Sequence, residues 1–126
     1  MDKKNATVNK FVESLMKQSK PMRVISSCTK KCRELIPEAA LYEQLAEECT
    51  ELAQVCLKKA RKIRNENYTP VSNDKIDADI IEEFSDVMLV TSTLKLKSDP
   101  VIMAKKATRW VKRNTKENES NEDNQG

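Results

Sequence analysis

Two pairs of carboxylates, each spaced by about one helical turn, are the residues best suited to do chemistry in this sequence. Glu48 and Glu51 form the first pair, directly preceded by Glu47, and Glu83 and Asp86 form the second. Side chains three residues apart share one face of a helix, so two packed helices can direct four carboxylates into one space. Mg²⁺ prefers oxygen ligands and is often bound together with phosphates. The spacing therefore points to metal-assisted chemistry.

The acids lie beside apolar residues that recur at helical spacing. The first segment contributes Leu41, Leu45, Leu52, Cys56 and Ile63, and the second contributes Ile76, Ile80, Phe84, Val87 and Leu94. On ideal helices, Glu48 and Glu83 fall on matching edges of these stripes, and Glu51 and Asp86 lie about 60° further round. Packing the stripes together brings the four acids to the border of the core, where their mutual repulsion favours a bound cation.

An alternative is that these acids belong to ordinary solvated helix faces and pair with lysines. The chain is 34% charged, with 20 acids, and chance alone supplies about three acid pairs of this spacing.

Length and composition indicate a single all-helical domain. The chain has 126 residues, one glycine and 4% aromatic residues, which disfavours β-rich folds. The sequence contains no run of 18 apolar residues and no apolar region of the signal-peptide type near its lysine-rich start. We therefore predict a cytoplasmic protein with no membrane partner.

The histidine and cysteine content excludes several classes of site. The chain has no histidine, so Ser-His and Cys-His catalysis and the Glu-x-x-His ligands of di-iron bundles cannot be built. Its four cysteines, Cys28, Cys32, Cys49 and Cys56, form no Cys-x-x-Cys pair, which argues against a zinc site. We predict reduced structural thiols, with Cys49 and Cys56 on the apolar face of their helix.

The periodicity predicts helices over about 6–18, 23–36, 37–65, 73–96 and 100–113. Asn73 or Ser72 can cap the fourth of these, and the Ser98-Asp99-Pro100 sequence is a helix start signal. Residues 114–126 contain no apolar residue, so we predict disorder there. The predicted organisation is a basic N-terminal helical segment over 1–36, a helical core over 37–113 and a polar tail over 114–126.

The N-terminal segment offers a second functional class. Residues 1–33 carry nine lysines and arginines against two acids. A non-catalytic helical module could bind nucleic acid or a protein partner through this basic arm. Aromatic residues are not interleaved with the basic ones, which makes nucleic-acid binding the weaker interpretation.

The two acidic segments together resemble a known family. Leu45-Ala-Glu-Glu-Cys-Thr-Glu-Leu-Ala-Gln54 and Ile81-Glu-Glu-Phe-Ser-Asp-Val-Met-Leu89 are similar to the Glu-Glu-x-x-Glu and Glu-x-x-Asp motifs of the MazG-like all-α nucleoside triphosphate pyrophosphohydrolases. That superfamily includes dimeric dUTPases and phosphoribosyl-ATP pyrophosphohydrolases. The resemblance covers about residues 40–113 and implies a four-helix-bundle core, here with an additional N-terminal helix, assembled as a homodimer or homotetramer. Residues 52–82 make the gap between Glu51 and Glu83 longer than is usual in the family.

The resemblance also implies roles for particular residues. Its metal ligands would be Glu48, Glu51, Glu83 and Asp86, holding Mg²⁺ with Mn²⁺ as a possible substitute, and Glu47 would support the metal or orient the attacking water. The expected reaction cleaves a nucleoside triphosphate, with a deoxynucleotide or modified nucleotide favoured, to the monophosphate and pyrophosphate.

Substrate contacts are predicted on the last helix. The candidates for the β- and γ-phosphates are Lys106, Arg109 and Arg113, and Trp110 is a candidate for contact with the base. These three basic residues fit a solvated basic face equally well.

Overall fold

Five α-helices form the regular structure of this protein. The structure, a computed structural model, describes residues 3–17 and 20–123, with side chains as far as residue 115. The helices are α1 (Lys3–Met16), α2 (Pro21–Leu35), α3 (Glu38–Ile63), α4 (Asn73–Thr93) and α5 (Pro100–Asp123). No strand occurs in the described ranges, which confirms the all-α prediction.

Two of the predicted helix starts are capped by the expected side chains. The Ser72 hydroxyl accepts a hydrogen bond from the backbone N–H of Lys75 at 3.2 Å. The Asp99 carboxylate accepts from the N–H groups of Val101 and Ile102 at 2.8 and 3.2 Å, and Pro100 is the first residue of α5. These caps satisfy N–H groups that have no partner within the helix.

The last helix is longer than its sequence predicts. It continues to Asp123 rather than ending at Arg113, so residues 114–123 of the predicted polar tail are helical. The Asn114 side-chain amide and the Thr115 hydroxyl donate back to the carbonyls of Trp110 and Val111, at 2.8 and 2.9 Å. A lack of apolar residues excludes burial, but it does not interrupt a helix where no Gly or Pro intervenes. Residues 124–126 of the predicted tail lie outside the described residues, as does Gln18 at the predicted end of the first helix.

The chain divides into two compact units, residues 1–96 and 97–126. Within the first unit, α3 packs along α4, α2 contacts α4, and α1 contacts α2. The predicted organisation, with boundaries at residues 36 and 113, stays a prediction. The four-helix core stays a prediction, because α5 belongs to the second unit.

The core of the first unit is a narrow seam between α3 and α4. Apolar residues that are buried or half-buried recur at spacings of three, four or seven, at Leu41, Leu45, Leu52 and Val55 of α3, at Ile76, Ile80, Val87 and Val90 of α4 and at Leu94 directly after it. This spacing is the expected pattern for two long helices that pack with their axes nearly aligned. The predicted stripes were wrong at Cys56, Ile63 and Phe84, which are exposed. A stripe drawn on a straight helix drifts from a 3.5-residue seam over several turns.

Polar side chains make contacts at both ends of the α3–α4 pair. Near the connecting loop, Lys59 pairs with Asp77 at 2.6 Å. Lys62 donates hydrogen bonds to the carbonyl oxygens of Thr69 and Val71 within that loop. At the opposite end, the Arg33 guanidinium on α2 donates to the carbonyl of Thr93 at 3.3 Å. Lysine and arginine thus satisfy carbonyls that the helices and the loop leave open.

In the described ranges, no helix combines the length and the apolar character needed to cross a membrane.

Replacing Ile76 by alanine should test the importance of the seam. Ile76 is 0% exposed, and loss of a buried isoleucine costs about 2–5 kcal/mol in free energy of unfolding. Leu57→Ala is the matched control, since Leu57 is 60% exposed and its truncation should change that free energy by less than about 0.5 kcal/mol. Urea titration followed by circular dichroism measures both variants. Equal effects of the two substitutions would contradict the placement of Ile76 in the core.

Candidate metal centre

Glu48 and Glu83 occupy positions of the seam where apolar residues are expected. Glu48 lies between Leu45 and Leu52 in the seam spacing of α3, and Glu83 lies between Ile80 and Val87 in that of α4. Both glutamates are half-buried. The prediction that Glu48 and Glu83 lie at the edges of the apolar stripes was therefore wrong. Both carboxylates lie within the packed interface.

The two helices bring their acids to the same level. Glu51 lies 12 residues before the last residue of α3, and Glu83 lies 10 residues after the first residue of α4. Since the two helices run in opposite directions from the connecting loop, these nearly equal distances align the acidic segments. Residues 52–82 thus follow α3 to the connecting loop and return along α4, without separating the acids.

Three of the four predicted metal ligands converge. Glu48, Glu83 and Asp86 each offer a carboxylate oxygen, and these three oxygens all lie within 4.8 Å of one another. Among the described residues, no other group of three acids or cysteines meets this criterion. The ion pairs formed by Lys31, Lys59 and Lys75 involve other acids, namely Glu34, Asp77 and Asp79.

Within this cluster, Glu83 has an environment that destabilises its charged carboxylate. Its Oε2 atom is buried and has no hydrogen-bond partner. Burial raises the pKa of Glu83 above the ordinary 4.5, and the nearby Glu51 carboxylate raises it further through repulsion and a shared hydrogen bond, with smaller contributions from Asp86 and Glu82. A buried carboxylate among other carboxylates binds a proton or a cation more strongly than an isolated one.

The other two predicted acids lie at the margin of the cluster. Glu51 is exposed and acts on Glu83 through its charge, but it is not one of the three converging ligands. Glu47 is also exposed. The geometry therefore supports a three-carboxylate centre, with Glu51 within electrostatic reach of it.

One hydrogen-bond donor beside the cluster was not predicted from the sequence. The Gln44 side-chain amide donates to Oε1 of Glu48. The four-residue spacing between Gln44 and Glu48 could have indicated this contact, because such residues are neighbours on a helix surface. Asp79, one turn before Glu83, instead pairs with Lys75 on the same helix. Gln44 thus orients one carboxylate, whereas Asp79 is held by a local ion pair.

The predicted substrate contacts lie on α5, in the second unit. Lys106, Arg109 and Arg113 are all exposed, and Trp110 is 66% exposed. The carbonyl of Trp110 accepts the Asn114 hydrogen bond within the same helix. Their roles toward phosphates and base stay predictions.

The cysteines take no part in this centre. All four are free thiols; Cys28 and Cys32 are half-buried, whereas Cys49 and Cys56 are exposed. The predicted packing of Cys49 and Cys56 on the core face was wrong, because the core seam of α3 passes through Glu48, Leu52 and Val55 instead.

The donor set fits a hard divalent cation. On an octahedral ion with metal–oxygen distances of about 2.0–2.1 Å, opposite ligand oxygens lie about 4.2 Å apart. Neighbouring ligand oxygens on such an ion lie about 2.9 Å apart, so the three oxygens, now within 4.8 Å of one another, would move closer together around it. Glu48, Glu83 and Asp86 could hold Mg²⁺ or Mn²⁺, and the unpartnered Oε2 of Glu83 would gain the partner that it lacks.

Comparisons with known proteins leave the family open. No family model, no curated protein and no solved structure matches this chain.

The raised pKa of Glu83 predicts a specific pH dependence of stability without divalent cations. The folded state binds the Glu83 proton more tightly than the unfolded state, so this contribution to the free energy of unfolding is full below about pH 4.5. It is lost as the pH rises through the raised pKa of the folded protein. Glu83→Gln should remove this decline, whereas Glu66→Gln, in an exposed position after α3, should retain it. Thermal unfolding in EDTA between pH 4 and 8 measures the difference. A decline of equal size in Glu83→Gln would contradict the assignment.

Proposed function

We propose that this protein is a Mg²⁺-dependent nucleotide pyrophosphohydrolase that cleaves a nucleoside triphosphate to the monophosphate and pyrophosphate. The observation that supports a metal-dependent reaction most directly is the convergence of one carboxylate oxygen each from Glu48, Glu83 and Asp86 within 4.8 Å. Oε2 of Glu83 is in addition buried without a hydrogen-bond partner. The nucleotide substrate is inferred from the similarity of the two acidic motifs to the MazG-like family.

The charge distribution supports a role beyond packing for this cluster. A seam position that only stabilised the fold would favour an apolar residue, because a half-buried carboxylate loses hydration and repels its neighbours. Glu48 and Glu83 both occupy such positions. The cost is offset when a divalent cation binds, and metal binding is the function that this pattern favours.

Each acidic residue has a distinct proposed task. Glu48, Glu83 and Asp86 hold the cation, and Gln44 keeps the Glu48 carboxylate oriented through its hydrogen bond. Glu51 completes the ligand set from the margin of the cluster, where it already influences Glu83. A bound Mg²⁺ would lower the pKa of a coordinated water and offset charge on the phosphates.

Glu47 and the basic residues of α5 have proposed tasks toward water and substrate. The exposed Glu47 carboxylate accepts a proton from the attacking water, a task for which the chain has no histidine. Lys106, Arg109 and Arg113 bind the β- and γ-phosphates, and Trp110 contacts the base. The products are the nucleoside monophosphate and pyrophosphate.

The exposed sides of α3 and α4 support assembly into a homodimer or homotetramer. A second seam of exposed apolar and small residues follows spacings of four and three, with one gap of seven before Ile63, at Tyr42, Ala46, Cys49, Ala53, Cys56 and Ile63 of α3 and at Ile81, Phe84 and Met88 of α4. We call it the outer seam. A heptad-like seam on two adjacent helices is suited to packing against an equivalent helix pair, which completes a four-helix bundle. The proposed bundle therefore forms between copies of the chain.

Neutral replacements of the ligands test the proposed activity. Glu48→Gln and Glu83→Gln should each lower the rate of Mg²⁺-dependent pyrophosphate release by at least about 100-fold, because even residues that only orient metal ligands contribute 10–100-fold. A panel of canonical and modified nucleoside triphosphates, with chromatographic identification of products, provides the measurement. Glu66→Gln is the control and should retain the full rate. Unchanged activity of Glu83→Gln in a folded protein would overturn the metal assignment.

A charge placed on the outer seam tests the proposed assembly. Ile81 is 67% exposed in the single chain, and Ile81→Glu should convert the oligomer to monomers because a charged group is excluded from an apolar interface. Met22→Glu, at a position on α2 that is 74% exposed, should leave the oligomer intact. Light scattering coupled to size-exclusion chromatography gives the molar mass of each variant. A monomeric wild-type protein would refute this arrangement directly.

A further inference from the structure

The outer seam differs in side-chain size between its two helices. On α3 it consists mostly of alanine and cysteine, whereas on α4 it consists of three large side chains, Ile81, Phe84 and Met88. These three are 67%, 54% and 48% exposed. The surface of the helix pair is therefore recessed along α3 and raised along α4.

The recessed and raised positions lie at the same height along the pair. The Glu51 and Glu83 side chains share a hydrogen bond, which fixes how the two antiparallel helices are aligned. The ion pair between Lys59 and Asp77 gives the same alignment to within about 3 Å. Counting away from Glu51 and Glu83 matches small residues with large ones to within about half a turn. The matched pairs are Ala53 with Ile81, Cys49 with Phe84, and Ala46 with Met88.

The outer seams of α3 and α4 face the same side of the pair. At about 100° per residue, the outer seam of each helix lies about 90° round from the seam that joins α3 and α4, and the rotation has the same direction on both helices. For two antiparallel helices, equal rotations of this kind turn both seams to one side. They therefore form one surface, on which a second helix pair can lie as the other layer of a four-helix bundle.

The charge pattern of α3 favours a neighbour that runs antiparallel to it. All five glutamates of α3 lie before residue 52, and its four lysines and arginines lie after residue 57. The first two turns of α4 carry Asp74 and Asp77. A parallel copy of α3 would place like charges side by side. An antiparallel α3 or α4 of a second copy instead places acidic residues beside the basic end of α3.

Two-fold symmetry gives two ways to place an antiparallel helix on α3. An axis perpendicular to the helices places the partner's α3 there, so that small residues face small ones and the large residues of the two α4 helices face each other. An axis parallel to the helices places the partner's α4 there. Because a rotation about that axis does not shift one copy along the other, the large residues then meet the small ones at the same height.

Helix packing favours side chains of one helix that fill the grooves of the next. We infer that the protein forms a two-fold dimer in which α4 of each copy packs on the outer seam of α3 of the other. This dimer is a specific form of the assembly proposed above and rests on that proposal. The partner is a second copy of this chain, because the raised surface of α4 matches the recessed surface of α3 in both size and height.

This dimer leaves each carboxylate cluster within one chain. At about 100° per residue, Glu51 and Asp86 lie about 170° round their helices from the outer seam, and Glu48 and Glu83 lie more than about 100° from it. The partner's α3 and α4 therefore cover the side of the pair that lies away from the cluster. Each cation site receives its ligands from α3 and α4 of a single chain.

A cysteine introduced at Phe84 tests the packing of α4 on α3. Phe84→Cys faces the native Cys49 of the partner subunit, and facing positions on packed helices lie within the Cα separation of about 7 Å that a disulfide needs. With diamide as the oxidant, we expect a disulfide-linked dimer on non-reducing gels. Mass spectrometry of the linked peptides should identify residues 84 and 49. Wild-type protein should stay unlinked, because the two α3 helices are diagonal in the bundle.

Matched variants separate this contact from random collision. Leu89→Cys is the control on α4, because Leu89 is 45% exposed and lies about 110° round the helix from the outer seam. It should give at least about tenfold less linked dimer than Phe84→Cys. Adding Cys49→Ala to Phe84→Cys should abolish the link, whereas adding Cys56→Ala should retain it. Light scattering without oxidant measures whether each variant is dimeric.

A mixture of two variants supplies the test if Phe84→Cys fails to dimerise. Chains with Ala46→Cys and chains with Met88→Cys, each also carrying Cys49→Ala, should form links between unlike chains and none between like chains.

Several results would overturn the arrangement. Links between Cys49 or Cys56 of two wild-type chains would place α3 on α3, and equal linking of Phe84→Cys and Leu89→Cys would indicate collision. A dimeric Phe84→Cys protein without links would exclude the contact, and a monomeric wild-type protein would refute the assembly itself. All of these measurements are made without nucleotide or Mg²⁺. Their failure is therefore distinguishable from failure of the proposed hydrolase.

Discussion

Repulsion among carboxylates in a helix seam is the constraint on which the rest of this structure depends. Glu48 and Glu83 interrupt the apolar residues that join α3 and α4, and Asp86 adds a third carboxylate within 4.8 Å. Apolar packing above and below the cluster holds these groups together against their repulsion. The Lys59–Asp77 ion pair adds a polar contact between the two helices near the connecting loop. Folding thus holds three carboxylates in a geometry that could accept a cation.

The chemistry available to the protein follows from this cluster and from its lack of histidine. Proton transfer near neutral pH usually relies on imidazole. In this chain, a carboxylate with a shifted pKa is the alternative. Burial and the nearby Glu51 carboxylate raise the pKa of Glu83. Oxygen-rich sites of this kind suit hard cations and phosphate substrates rather than redox metals. The proposed hydrolysis of a phosphoanhydride is consistent with that preference.

Local signals predicted much of the fold, whereas contacts between helices were less predictable. Ser72, Asp99 and Pro100 gave correct helix starts because capping depends on neighbouring residues alone. The periodicity placed Ile76 and Val87 correctly, but it assigned Phe84 to the core and Glu48 to an edge. That error arises because α3 and α4 each carry two seams of apolar residues, and a single helix does not show which one faces its neighbour. Gln44 beside Glu48 was missed for a different reason, since many polar residues share that spacing.

Lys62 has a consequence for how the α3–α4 connection can vary. Its ammonium group binds the Thr69 and Val71 carbonyls, so a side chain links the end of α3 to the part of the loop that leads into α4. Residues 65–68 lie outside this link, and Tyr68 is 93% exposed. A peptide inserted among these four residues would lengthen only the segment between Lys62 and Thr69. The connection is therefore a suitable point for attaching a reporter or an affinity sequence while the carboxylate cluster keeps its geometry.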